Sequence, residues 1–366
     1  MLTKEKFIAI CKKFDVVNAS ITIIKDNEKT NYTYGFQDKS KGTILKSECI
    51  FRIASISKSV LAIGAMHLKE EGLLDLDEDI STYLGFMVRN PNHPDKKITM
   101  RMLMTQTSSI TDGFDDEDLS YDGDRVDGYN GVNGRYLNVP LKEMLTPSDS
   151  KYYSNLTFDK NEPGSTFIYS NFGCGIMACI IEKITNRNYD EYMQDVVFKK
   201  LGVDASYYAY DIKNKDLIVT LYNGDKERNK DDFINKAYKK AKIGESYLGP
   251  AGGLFISMSD LSKIMKSFWV DEYKVLKNKT IEEMLQVNWE GDAQEYKKKG
   301  LQLMILDGYA LFRLYGHFGS AYGLRSMMLF NPKEKTGVCF ATSGGNINYR
   351  RDLIPEIHYE LIKEIW

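Results

Sequence analysis

Cysteine is scarce in this chain, and its spacing forms no motif. The 366 residues include five, Cys11, Cys49, Cys174, Cys179 and Cys339, an odd number without any C-x-x-C pair. A disulfide framework or a zinc site is thereby excluded, and the thiols read as small buried apolar groups. Excess charge of either sign is also lacking: 49 Lys and Arg face 51 Asp and Glu, for a net charge of -2. Nucleic-acid binding through bulk positive charge is excluded. Disorder is excluded as well, because 43% of the residues are hydrophobic. No apolar run approaches the roughly 18 residues of a membrane span. The start, MLTKEKFIAICKKFDVV, has no long apolar stretch of the signal-peptide kind and reads as a short amphipathic helix. These absences place the protein in the cytoplasm, unless a leader has been removed. They call for no membrane or nucleic-acid partner, no metal and no cofactor. Function must then reside in a local site.

The length corresponds to roughly two domains of about 150 residues or to one composite unit. Residues 21–24 alternate, Asp26-Asn27 makes a turn, and 31–34 return, which predicts a β-hairpin. A short strand over 49–53 runs into Ala54-Ser55, and a helix follows from about 57 to 71, stopped by Gly72. From 73 to 245 the chain reads as helices and long loops, with helices over 100–107, 172–185 and 189–200. Strands return over 309–315, 323–330 and 337–342, a helix near 258 is capped by Ser257 or Ser259, and a helix from about 352 to 366 closes the chain. The pattern predicts an α+β fold. An antiparallel sheet is built from both chain ends (1–60 and 245–366), a mainly helical lobe is inserted at 61–244, and a cleft lies between the two.

Three short elements could carry chemistry. Ser55-Ile56-Ser57-Lys58 is an S-x-x-K at a strand-to-helix junction. There a helix N-terminus stands beside the serine, and the lysine three residues on shares its face. The amine could deprotonate the hydroxyl if burial disfavours the ammonium. A second copy, Ser148-Asp149-Ser150-Lys151, begins no apolar helix. Y-x-N occurs three times, at 136–138, 153–155 and Tyr169-Ser170-Asn171, and the last precedes the apolar helix after the Pro163-Gly164 turn. Gly316-His317-Phe318-Gly319-Ser320 is the one place where a histidine lies between glycines beside strands, a pattern that marks close approach of a ligand or backbone. The literal Lys335-Thr336-Gly337 reads instead as a hairpin tip. Read singly, each element is first an ordinary cap, packing tyrosine or bulge.

In this order the elements resemble the signature of the serine β-lactamase and penicillin-binding superfamily. The likeness is to its class C β-lactamase-like branch, where Y-x-N is the middle motif and H-x-G often replaces K-T-G. Phe51-Arg52-Ile53-Ala54-Ser55-Ile56-Ser57-Lys58 is similar to that family's F-R-I-A-S-x-S-K, and residues 71–77, 98–108 and 251–261 resemble its flanking segments. Gln106 and Ser109 depart from the usual histidine and glycine, at positions that concern packing rather than chemistry.

The resemblance implies a β-lactamase/transpeptidase-like fold and a serine hydrolase acting through an acyl-enzyme on a small-molecule or short-peptide amide or ester. Ser55 is then the nucleophile, Lys58 its activator, and Tyr169 the general base toward Ser55 and acid toward the leaving group. Backbone N–H groups of Ser55 and Ser320 form the oxyanion hole. Asn171 orients Lys58 or a substrate amide, Gly319 keeps the strand free where substrate runs, and His317 supplies a pH-dependent cation for a substrate carboxylate. A histidine in place of lysine favours D-amino-acid peptidases and carboxylesterases over a dedicated β-lactamase. A non-catalytic binding or assembly module on the same fold is the other class of reading. Residues 111–136 form an acidic loop, with eight carboxylates against one arginine over 112–127. It matches a calcium loop poorly and reads as a solvated loop, with gating of cationic or amine-bearing substrates as the alternative.

Overall fold

A computed structural model describes residues 2–113, 139–148, 150, 152–228, 241–293, 297–321 and 323–366. Most of the acidic loop, Asp149 and Lys151 of the second S-x-x-K, and the Y-x-N at 136–138 lie outside the described residues. The chain divides into two units.

The first unit comprises Met1–Val60, Gln194–Ala237 and Gly252–Trp366. Its strands are β1 (Asn18–Lys25), β2 (Glu28–Asp38), β3 (Thr43–Ile44), β4 (Ile50–Arg52), β5 (Leu221–Asn223), β6 (Lys226–Arg228), β7 (Phe255–Ser257), β8 (Trp289–Glu290), β9 (Lys298–Lys299), β10 (Met304–Leu306), β11 (Leu314–Ala321), β12 (Leu324–Asn331) and β13 (Thr336–Ser343). Among the described residues, nine of them form one antiparallel sheet in the order β3-β2-β1-β13-β12-β11-β10-β9-β8. Both ends of the sequence therefore contribute to one sheet, as expected. Asp26 and Asn27 both take positive φ, 51° and 66°, the geometry that a two-residue hairpin turn requires. The register from Asn18↔Ser343 to Ile24↔Gly337 joins β1 to β13.

Adjacent strand residues face opposite sides, and the sheet is covered on both. Cys339 and Gly337 meet Met265 of the helix Met258–Lys266, whose start is fixed by Ser257 Oγ accepting from Asp260 N at 3.0 Å. Phe340, on the other face, meets Phe7 of helix α1 (Lys4–Lys13) and His358 of the closing helix Glu356–Ile365. Lys6–Glu364 and Lys13–Glu360 ion pairs, at 2.6 and 3.1 Å, tie these two helices together.

The strand expected over 309–315 starts at Leu314 and continues to Ala321. Ahead of it, Arg313 pairs with Asp307 at 2.8 Å, folding 307–313 back on itself. The domain boundary also needs correction, because 194–237 belongs with the sheet rather than with the helical lobe. Ile50, Ala209, Ile212, Ile218 and Phe255 share one apolar cluster. Val219 N donates to Ile50 O at 2.9 Å, and Gly344 N to Tyr222 O at 2.8 Å.

The second unit comprises Leu61–Met193 and Tyr238–Ala251. It takes most of helix α2 (Ser57–Glu70), which starts in the first unit, and the helices α3 (Ile80–Leu84), α4 (Met100–Thr105), α5 (Leu141–Leu145), α6 (Asn171–Thr185) and α7 (Tyr189–Met193). Helix α6 is its core, buried from Phe172 to Glu182. Buried Glu182 accepts from Tyr189 N, Gly244 N and Ser246 Oγ, which ties 244–246 to this unit. A β-carbon on Gly175 would strike the Tyr247 backbone, so only glycine lets that segment pack. The helix expected over 189–200 is α-helical only to Met193 and continues as a π-helical turn, Gln194–Phe198. No helix among the described residues is long and apolar enough to cross a membrane.

Candidate active site

Ser55 lies in a 3-10 turn, Ala54–Ile56, between β4 and α2. The α-helix begins two residues later, at Ser57, where the sequence placed it. Ala54 holds φ at +51°, a left-handed conformation that costs an alanine about 1 kcal/mol. The surroundings compensate for that cost. Ser57 Oγ donates to Ala54 O at 2.6 Å and accepts from Leu254 N at 3.2 Å. Ile53 N donates to Leu254 O at 2.9 Å, and Ser326 Oγ to Ile53 O at 2.8 Å. The turn is thus pinned from β7's approach on one side and from β12 on the other.

Lys58 Nζ donates to Ser55 Oγ at 3.1 Å. Ser55 is partly exposed, whereas Lys58 is wholly buried. The hydroxyl is thus partly open to solvent while the amine that bonds it is sheltered from water. Gly319 of β11 packs against this turn. A β-carbon there would stand 2.5 Å from Ile53 O and would also strike Ser326 Oγ. The close approach that its sequence setting foretold is therefore to the Ser55 turn itself. Ser320 follows at an exposed position, and its Oγ meets Tyr349 Oη at 2.9 Å.

His317 is wholly buried, and its Nδ1 is 2.5 Å from Phe318 O. That contact makes Nδ1 the protonated nitrogen of a neutral ring. Burial pushes its pKa well below the usual range, and the charges of Lys299 and Lys58 push it further. His317 is therefore neutral at physiological pH, which corrects the expectation of a pH-dependent cation. Lys335 sits in the β12–β13 turn at φ +49°, with Thr336 opposite Asn331.

Lys299 was missed by sequence reading. It stands on β9 with zero exposure, while Lys298 beside it pairs outward with Asp307 at 3.0 Å. The run 297–299 reads as solvated charge, and only strand periodicity distinguishes its members.

In the second unit, Tyr169 is half-buried and immediately precedes Ser170, the N-cap of α6. Ser170 Oγ accepts from Gly173 N at 2.8 Å, and Gln106 Oε1 accepts from Ser170 N at 2.8 Å. Asp112, buried and unmarked by any motif, accepts from Phe172 N and Asn171 Nδ2 at 2.8 Å and from Ser170 Oγ at 3.1 Å. Asn171 thus opens the helix and donates to Asp112. The competing Tyr153 leads only into a 3-10 turn, Asn155–Thr157. The first unit gathers Ser55, Lys58, His317 and Gly319, with Ser320 beside them; the second sets Tyr169 and Asn171 on one rigid helix start.

The profile of the family described as Beta-lactamase matches residues 9–359. This chain belongs to the Beta-lactamase family. It is 23% identical over 361 residues to Protein flp of Staphylococcus aureus, covering 96% of this chain, and it spans only 64% of that relative's length. The octameric penicillin-binding protein homologue from Pyrococcus abyssi superposes with a TM-score of 0.73 at 22% identity, over 98% of this chain and 75% of that one. The D-amino acid amidase from Ochrobactrum anthropi SV3, complexed with L-phenylalanine amide, gives 0.70 at 19%, over 98% and 95%. These likenesses show the fold: a mixed α/β family fold with a large antiparallel sheet, as the sequence implied.

Proposed function

We propose that the protein is a serine hydrolase that cleaves an amide or ester through an acyl-enzyme. The reading is carried by the 3.1 Å bond between the buried Lys58 amine and Ser55 Oγ. Ser55 Oγ bonds to the acyl carbon while its proton passes to a base. The bond to the leaving group breaks as that group takes a proton, and water then releases the acid. On this reading Lys58 activates Ser55, Tyr169 at the start of α6 is the base toward Ser55 and the acid toward the leaving group, and Asn171 beside it orients Lys58 or a substrate amide. Backbone N–H groups of Ser55 and Ser320 stabilise the oxyanion.

The neutral His317 bears on substrate class. A buried uncharged imidazole offers no fixed charge to a carboxylate, so substrates without one fit better than a penicillin. D-amino-acid amides and simple esters are the preferred class, in keeping with the structural likeness to the D-amino acid amidase. Intact-mass analysis with a fluorophosphonate should give one adduct on the wild type and none on Ser55→Ala. Turnover should fall in the order D-amino-acid amides and p-nitrophenyl acetate, then nitrocefin. An adduct that survives Ser55→Ala refutes the nucleophile. No adduct and no turnover favour a binding module on the same fold.

A further inference from the structure

Gln106, a packing position by its sequence, holds the backbone on both sides of Tyr169. It ends α4 in a left-handed conformation, at φ +63°, and is buried. Its backbone O accepts from Ile168 N at 2.7 Å, and its side-chain Oε1 accepts from Ser170 N at 2.8 Å. Ser170 is extended, at φ -136° and ψ 120°. In an extended segment the amides of alternate residues point to one side, about 6.6 Å apart. A neighbouring strand would meet them with two backbone carbonyls. Here a single residue meets both, the second with its side-chain carbonyl. The other end of the Gln106 amide is used as well, because Nε2 donates to Cys174 Sγ at 3.3 Å in the first turn of α6. The amide cannot flip without losing both contacts.

The stretch that carries Gln106 is itself fixed. Thr107 O accepts from Gly164 N at 2.7 Å, Ser109 O from Asp159 N at 2.8 Å, and Thr157 O from Thr111 N at 2.9 Å. It ends on Asp112, whose carboxylate accepts from Ser170 Oγ and Phe172 N. Tyr169 therefore leaves the backbone between two anchored peptide groups. We propose that Gln106 is a positioning residue of the Ser55 centre: by clamping the backbone on both sides of Tyr169, it fixes the phenol where it serves as base and acid. The proposal rests on the reading of Tyr169 as that proton carrier and names the residue that aims it. The Ser55 proton moves to Tyr169 as the Oγ–acyl bond forms, and Tyr169 returns it to the leaving group as the second bond breaks. Gln106 exchanges no proton. Its effect is geometric, and a reacting group displaced by about 1 Å loses up to about 100-fold in rate.

The test is a double-mutant cycle on fluorophosphonate acylation of the full chain, followed by intact mass at increasing probe concentration. Gln106→Met keeps the length of the side chain and removes Oε1 and Nε2. It should lower the maximal acylation rate about tenfold and leave the half-saturating concentration within about twofold. Tyr169→Phe should lower the rate about 100-fold. Gln106→Met added to Tyr169→Phe should cost less than about twofold more, because no phenol remains to be aimed. In parallel, the Tyr169 ring signal, assigned in a tyrosine-labelled NMR spectrum by its loss in Tyr169→Phe, should shift in Gln106→Met. That readout needs no activity. If Gln106→Met does not fold, Gln106→Asn serves, since asparagine accepts a left-handed backbone and is too short to bring its carbonyl to Ser170 N. A wild-type maximal rate, a second tenfold loss on the Tyr169→Phe background, or an unmoved Tyr169 signal overturns the proposal. Tyr169→Phe acylating at the wild-type rate refutes the Tyr169 reading, and the proposal with it. Absence of any wild-type adduct refutes the Ser55 reading instead, and the ring signal then decides whether Gln106 sets Tyr169.

Discussion

At the scale of single residues, what was legible is what is local. Ser55 and Lys58 are three positions apart on one turn, so their spacing alone brings amine and hydroxyl together. His317 was legible as a special residue from its flanking glycines, but its charge state was not, because burial and two lysines from other elements decide it. Asp112 lay beyond reach for the same reason, since its three hydrogen bonds go to residues 58 to 60 positions away. It also yields a prediction. Asp112→Ala removes the carboxylate from the start of α6 and should cost about 2 kcal/mol in urea unfolding. Asp112→Asn, which can still accept, should cost less.

At the scale of elements, turns and most ends were legible to within a residue, and the exceptions include the start of β11, the end of α7 and the start of the closing helix. The Asp26-Asn27 hairpin stands where expected, and of the two serines that could cap the following helix the structure uses Ser257. The 314–321 strand was placed too early because the Asp307–Arg313 pair, which turns the preceding segment aside, has no hydrophobic signature. The π-helical turn after Met193 is likewise a choice made by packing. Ser257→Ala tests the element whose start was best defined. It removes the acceptor for Asp260 N and should destabilise the sheet unit by about 1 kcal/mol, measured by denaturant midpoint, without moving the acylation pH profile.

For the molecule as a whole, sheet and helical portions were legible, but the grouping of 194–237 with the sheet was not, because it depends on one apolar cluster assembled from three distant stretches. Global stability should carry a pH signature. His358 is buried between Phe318 and Phe340, and burial, with Arg325, pushes its pKa down to about 3. His317 is pushed well below its ordinary value too. Unfolding lets both rings take up protons that the native protein refuses. The histidine contribution to stability should therefore be constant above about pH 7, begin to fall near the ordinary histidine value of about 6.5, and keep falling toward about pH 3. The loss should be about 1 kcal/mol per pH unit per histidine. Urea unfolding at about pH 7.5 and about pH 5 checks the sign, and His358→Phe should remove roughly half of the slope.

The pairing of β1 with β13 has a consequence in time. Ile24 meets Gly337, and Asn18 meets Ser343, so the first strand emerges from the ribosome roughly 300 residues ahead of its neighbour. At about 5–20 residues per second of synthesis, that is a wait of some tens of seconds. Throughout it the β1–β2 hairpin offers an unfilled apolar edge. The β11 and β12 contacts that brace the Ser55 turn arrive almost as late. A ribosome-bound chain stalled before β13 should thus carry every residue of the proposed nucleophilic centre and still be inert toward an acylating probe, with its earliest hairpin the natural target of a chaperone.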